Sequence, residues 1–147
     1  MKRIKRILCL LIVFISVIIL SGCGDSYSSV TYSRFTEKLS DELGFTVTDN
    51  SLSYEGIYER ALSAVKDDAL FNYYEFSSSK EAKEFVKKRY EKKKNYSYKS
   101  YDDYSVVKYS KTGYIQIIQV DNIVITGSTE KDSKKSEIKK VFKELGY

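Results

Sequence analysis

Apolar positions are laid out along this chain in two different ways. Over residues 7–20 they are continuous, interrupted only by Ser16, and from Tyr32 onward they are spaced. Tyr32, Phe35 and Leu39 fall on one side of a helix expected over residues 33–43, with charges on the other side. Gly44 stands where a left-handed C-cap belongs, and Phe45 can fold back on the last turn. Residues 45–48 read as a short strand closed by Asp49-Asn50. The stretch 54–65 fits two descriptions. Tyr54, Ile57, Tyr58, Ala61, Leu62 and Val65 make a helical stripe, while a hairpin turn at Asp67-Asp68 would make the preceding residues a strand. The stripe favours helix, although Gly56 weakens it.

Beyond that point the signals agree. Residues 70–76 are aromatic-rich and strand-like. Ser78, three residues before Glu81, makes a capping box for a helix carrying Ala82, Phe85, Val86, Arg89 and Tyr90, which frays into Lys92-Lys93-Lys94-Asn95. Strands over 104–109, 114–120 and 123–126 form a meander, with turns at Lys111-Thr112-Gly113 and Asp121-Asn122. Ile138, Val141, Phe142 and Leu145 mark a last helix, and Gly146-Tyr147 repeats the helix-stop chemistry of Gly44-Phe45. The pattern predicts one α+β domain over residues 31–147: an antiparallel sheet of four or five strands, including the C-terminal three-stranded meander, with helices packed on one face.

The continuous apolar run is a separate object. Lys2, Arg3, Lys5 and Arg6 precede it, and Ser21 and Gly22 lead from it to Cys23. A basic head, an apolar core and small residues, in that order, make a secretory signal. A membrane-spanning helix takes ~20 apolar residues. The core has 14, and only a span stretched from Ile4 to Cys23 would serve as an uncleaved anchor. Leu20-Ser21-Gly22-Cys23, placed directly after this core, resembles the lipobox of bacterial lipoproteins. The resemblance implies that the Cys23 thiol receives a diacylglyceryl group and that the chain is cut after Gly22. Residues 1–22 would then be a signal peptide and 23–30 the lipidated cysteine with a short polar tether, of reach ~20 Å. It implies an address as well: the cell membrane, lipid-anchored, facing the extracytoplasmic side. From Leu70 onward the order of strand, Ser-capped helix, hairpin and helix also resembles small domains of uncharacterised lipoproteins of Gram-positive bacteria, with no functional residues to carry over.

Processing changes the electrostatics. The whole chain is formally +5, but the signal contains four of its 25 basic residues and none of its 20 acids, which leaves +1. The basic balance thus belongs to the export signal, and no nucleic-acid partner is expected. Of the two cysteines, Cys9 lies in the apolar core and Cys23 is the lipidation candidate, so no thiol remains to form a disulfide.

Histidine is absent from the chain. Without it or a spare thiol, Ser-His-Asp and Cys-His arrangements and the usual zinc sites are excluded. No metal or cofactor is expected, and no segment has the spacing of a calcium loop. Asp67-Asp68 and Asp102-Asp103 read as turn residues, and Lys111-Thr112-Gly113 lacks the glycines of a phosphate loop. One cluster stands out. Lys87, Lys88, Arg89, Lys92, Lys93, Lys94, Lys99 and Lys108 interleave with Tyr90, Tyr96, Tyr98, Tyr101, Tyr104 and Tyr109. Cations among aromatics can grip a polyanion; the plainer reading is a solvated helix end with tyrosine used as a strand former. Three functions are therefore carried forward. The first is a non-catalytic binding or accessory domain for a protein, wall polymer or small molecule. The second is a polyanion or membrane-surface module using residues 87–108. The third is a hydrolase of unrecognised type.

Overall fold

The structure is a computed structural model in which residues 27–147 are described; the basic head, the apolar core and the lipobox with Cys23 lie outside the described residues. Seven strands form one sheet: β1 (Thr46–Asp49), β2 (Arg60–Lys66), β3 (Ala69–Glu75), β4 (Ser97–Ser100), β5 (Tyr104–Tyr109), β6 (Tyr114–Val120) and β7 (Ile123–Thr129). Their order is β1-β2-β3-β7-β6-β5-β4, antiparallel throughout. Two meanders, β1–β3 and β4–β7, thus meet where β3 pairs with β7, Tyr73 opposite Ile125. Helix α1 (Tyr32–Thr36) widens into a π-helical turn over Glu37–Glu42; α2 (Ser79–Tyr90) carries the chain from β3 to the far edge at β4, and α3 (Lys135–Leu145) closes it. Among the described residues, no helix is long and apolar enough to cross a membrane.

The class is α+β, but the expected four or five strands are corrected to seven, and the helices lie on both faces of the sheet. Side chains alternate along a strand. Ile118, Ile123 and Ile125 accordingly join Phe35, Leu39, Ile138, Phe142 and Leu145 in one core, under α1 and α3. Ile117 and Val124 join Ala82 and Val86 of α2 in a second core on the other face. The doublets Ile117-Ile118 and Val124-Ile125 are the sequence trace of strands buried on both sides.

The preference for helix over 54–65 is corrected as well. Residues 60–66 form β2, whose Ala61 faces one side while Leu62 and Ala64 face the other, and Asp67-Asp68 is the hairpin turn, with Asp67 at φ 50°. Tyr54 closes a single 3-10 turn, Ser51–Tyr54, so the helical stripe joined apolar residues of two different elements. β4 was missed because it is a polar edge strand: only Tyr98 of its four residues packs inward, against the α2-side core.

Local chemistry explains the helix ends. The Ser78 hydroxyl accepts from the Glu81 N–H at 3.3 Å, while the Glu81 carboxylate accepts from the Ser77 hydroxyl at 2.7 Å. The box therefore closes on the neighbouring side chain. At the C-terminus Gly146 adopts φ 101°, the Gly146 N–H reaches the Lys143 carbonyl, and the Tyr147 N–H reaches that of Phe142. This is a Schellman stop, with Tyr147 lying 6.4 Å from the Phe142 ring.

Packing starts earlier than residue 31. Val30 is buried, and the Tyr27 ring meets those of Tyr104 and Tyr147 edge-on at 4.7 and 5.4 Å.

Candidate functional site

The β4–β5 end of the sheet is covered by α2 on one face and left open by α1 and α3 on the other. On the face covered by α1 and α3, the alternating residues Lys99 and Tyr101 and, from β5, Tyr104, Val106 and Lys108 look outward beyond α3. With Tyr27 they line an open groove of about 230 Å³. Its floor is aromatic. Tyr101 stacks on Tyr104 at 4.4 Å and 17°, and Tyr27 stands edge-on to Tyr104. The turn carrying Tyr101 is pinned from the other face, where the Lys83 ammonium of α2 donates to the carbonyls of Tyr101 and Asp102 at 2.6 and 3.2 Å.

Further along this face, Lys135 and Lys139, one helical turn apart on α3, approach the Tyr114 ring at 5.1 and 5.7 Å, and Lys135 also donates to the Ser110 hydroxyl. Burial pushes the Tyr114 phenol above its ordinary pKa, so it stays neutral and donates to the Gln116 side chain at 2.7 Å. Gln116 lies opposite Lys108, which links Tyr114 to the groove. Among the described residues, Lys99, Lys108, Lys135 and Lys139 have no carboxylate partner.

The basic cluster read from the sequence is divided between the two faces. Lys87 and Lys88 lie on α2 and pair along the helix with Glu91 at 3.9 Å and Glu84 at 3.6 Å. Arg89 covers the Phe85 ring, and Lys93 sits over both Tyr90 and Tyr96. Tyr90, Tyr96 and Tyr109 form a column that closes the end of the α2-side core. Lys92 and Lys94 are exposed just past α2. Lys99 is on the opposite face, in the groove. Half the cluster thus serves the fold or is neutralised locally. Lys135, Lys139 and Tyr27 were missed, because only the topology brings segments from the two ends of the described domain to this face. Their sequence trace is faint: Lys135 and Lys139 share an i, i+4 spacing off the apolar stripe.

A second groove, of about 410 Å³, runs between the 51–59 segment and the start of α2. Glu55, Glu59 and Glu81 line it, and its rim presents Leu52 and Ile57, 91% and 62% exposed. Asp49 holds the entry to this segment: hydrogen bonds from the Ser51 hydroxyl and N–H keep its carboxyl below the usual range. Among the described residues, no group of three or more His, Cys, Asp or Glu is placed to hold a metal ion. The aspartates of the β2–β3 turn reach lysines instead, Asp68 to Lys131 at 2.6 Å and Asp67 to Lys134 at 4.0 Å. Gly113 occupies a hairpin turn at φ 83°, where an added Cβ would lie 2.3 Å from the Thr129 carbonyl oxygen.

The chain matches no protein-family model, and no curated protein is similar to it at a significant level.

Proposed function

We propose that this chain is a lipoprotein, held by a lipid on Cys23 at the extracytoplasmic side of the cell membrane, with its α+β domain acting there as a non-catalytic binding or accessory module. The observation that carries the reading is the uninterrupted order of Lys/Arg head, 14-residue apolar core and Leu20-Ser21-Gly22-Cys23. The surface favours binding of a large partner: both grooves are open, and the wider one combines an exposed apolar rim with carboxylates. Acyl burial contributes ~0.8 kcal/mol per methylene, so two chains anchor a protein stably where one short chain does not.

The test is metabolic labelling with an alkyne-tagged fatty acid in a lipoprotein-processing host. Wild-type protein should take up label, and Cys23→Ala should take up none and accumulate as precursor. A wild-type chain without label would refute the reading.

A further inference from the structure

We infer that the tyrosine–lysine groove at the β4–β5 end of the sheet docks on the bilayer, its occupant being the anionic phospholipid headgroups around the anchor. The inference rests on the reading of Cys23 as the lipidated residue.

Chain geometry comes first. Tyr27 is seated in the groove, and only Gly24, Asp25 and Ser26 separate it from Cys23. Four residue steps extend to at most ~14 Å. A domain of this length is roughly 35 Å across. The leash is therefore shorter than half the domain, and the face that holds Tyr27 is kept against the membrane that holds the lipid.

Charge comes second. Lys99 and Lys108 in the groove and Lys135 and Lys139 on its α3 flank have no carboxylate partners among the described residues, whereas Lys87 and Lys88 on the other face do. Asp102 and Asp103 in the β4–β5 turn, Glu130 beside Gly113 and Asp121, whose charge reaches Tyr147, border this face, and none of them pairs with the four lysines. Tyrosine supplies the rest: Tyr101, 44% exposed and stacked on Tyr104, offers a ring and a hydroxyl at the depth where headgroups meet acyl chains. On the α2 face Glu91 and Glu84 answer Lys87 and Lys88, and Lys93 is held over Tyr90 and Tyr96; the exposed Lys92 and Lys94 lie past the helix end, on the side away from Tyr27 and the leash.

The experiment uses the mature lipidated protein, extracted after fatty-acid uptake has been verified and reconstituted into vesicles. One set is pure phosphatidylcholine; the other contains phosphatidylglycerol. A membrane-impermeant amine-acylating reagent reports each lysine by mass spectrometry. A lysine–headgroup contact of ordinary strength holds the ammonium engaged about fivefold more than not, so Lys99, Lys108, Lys135 and Lys139 should label about fivefold more slowly on the anionic vesicles. Lys87 and Lys88 should label equally on both. Half-molar salt should erase the difference, because the screening length then falls to ~4 Å. Uptake of fatty acid with identical lysine footprints on both vesicle types would overturn the docking face and leave the anchor standing. Absence of uptake would overturn the anchor and the inference with it. Slowing that occurs on neutral vesicles only after an anionic wall polymer is added would overturn lipid docking in favour of polymer binding.

Discussion

Gly127 lies where the sheet packs closely against Phe142 of α3. It lies in β7 opposite Phe71 of β3, and an added Cβ would stand 2.5 Å from Phe71 Cε1 and 2.7 Å from Phe142 Cε2. Neither ring can give way easily. Both are fully buried, they face each other at 5.6 Å, and Phe71 is backed by the Phe45 ring at 5.6 Å. Gly127→Ala therefore has to push α3 off the sheet or force a ring from its rotamer, an overpacking cost of about 1–3 kcal/mol. Against this stands a gain of ~0.4–1 kcal/mol from the stiffer unfolded chain. The net expectation is a loss of about 1–2 kcal/mol, or a fall in Tm of roughly 3–8 °C for a domain of this size. Urea denaturation monitored by circular dichroism measures it. The double variant Gly127→Ala/Phe142→Leu should recover part of the loss, because the shorter side chain vacates the contested space. A single variant as stable as the wild type, or a double variant whose losses simply add, would refute the packing argument.

Ser78→Ala should cost ~1 kcal/mol by releasing the Glu81 N–H at the start of α2. Gly113→Ala should cost more than that, since a side chain there meets the Thr129 carbonyl and a positive φ together; thermal melts of the two variants give the ranking. Burial holds the Tyr74 and Tyr147 phenols up at about 12. With the folded value above the unfolded one, their contribution is fully present below pH 10 and is lost as pH rises toward 12. Ultraviolet titration should show exposed tyrosines ionising first, with the late phenols coinciding with unfolding; a single ionisation step near pH 10 in a still-folded protein would contradict the burial. Under the proposed processing, which removes Cys9 and acylates Cys23, the mature protein should melt identically with and without reductant; a shift would show that the processing scheme is wrong.

Much of the fold was legible where one physical rule acts alone. The Ser78 cap, the glycine stops at Gly44 and Gly146 and the α3 stripe Ile138–Val141–Phe142–Leu145 are local codes, and the chain obeys them. Reading failed where burial is two-sided or absent. β2 hid inside a false helical stripe because Ala61, Leu62 and Ala64 are all buried, on alternate faces. β4 hid because an edge strand with one packed residue has no apolar rhythm. The candidate site suffered from the same limit. Lys87 and Lys99 are near neighbours in sequence, yet one strand alternation and a helix crossing set them on opposite faces. Conversely, the groove's partners Tyr27 and Lys135 come from the two ends of the domain, and no local pattern joins them to Lys108.

The anchor at Cys23 is the claim on which the address, the membrane-facing groove and the redox argument all depend. The intact mass of the protein recovered from membranes of a lipoprotein-processing host, followed by fragmentation of its N-terminal peptide, tests it most directly. The account predicts a chain that begins at Cys23 and carries a diacylglyceryl group on that sulfur. A membrane-bound chain that retains residues 1–22, or one cut at another position with Cys23 unmodified, would contradict it.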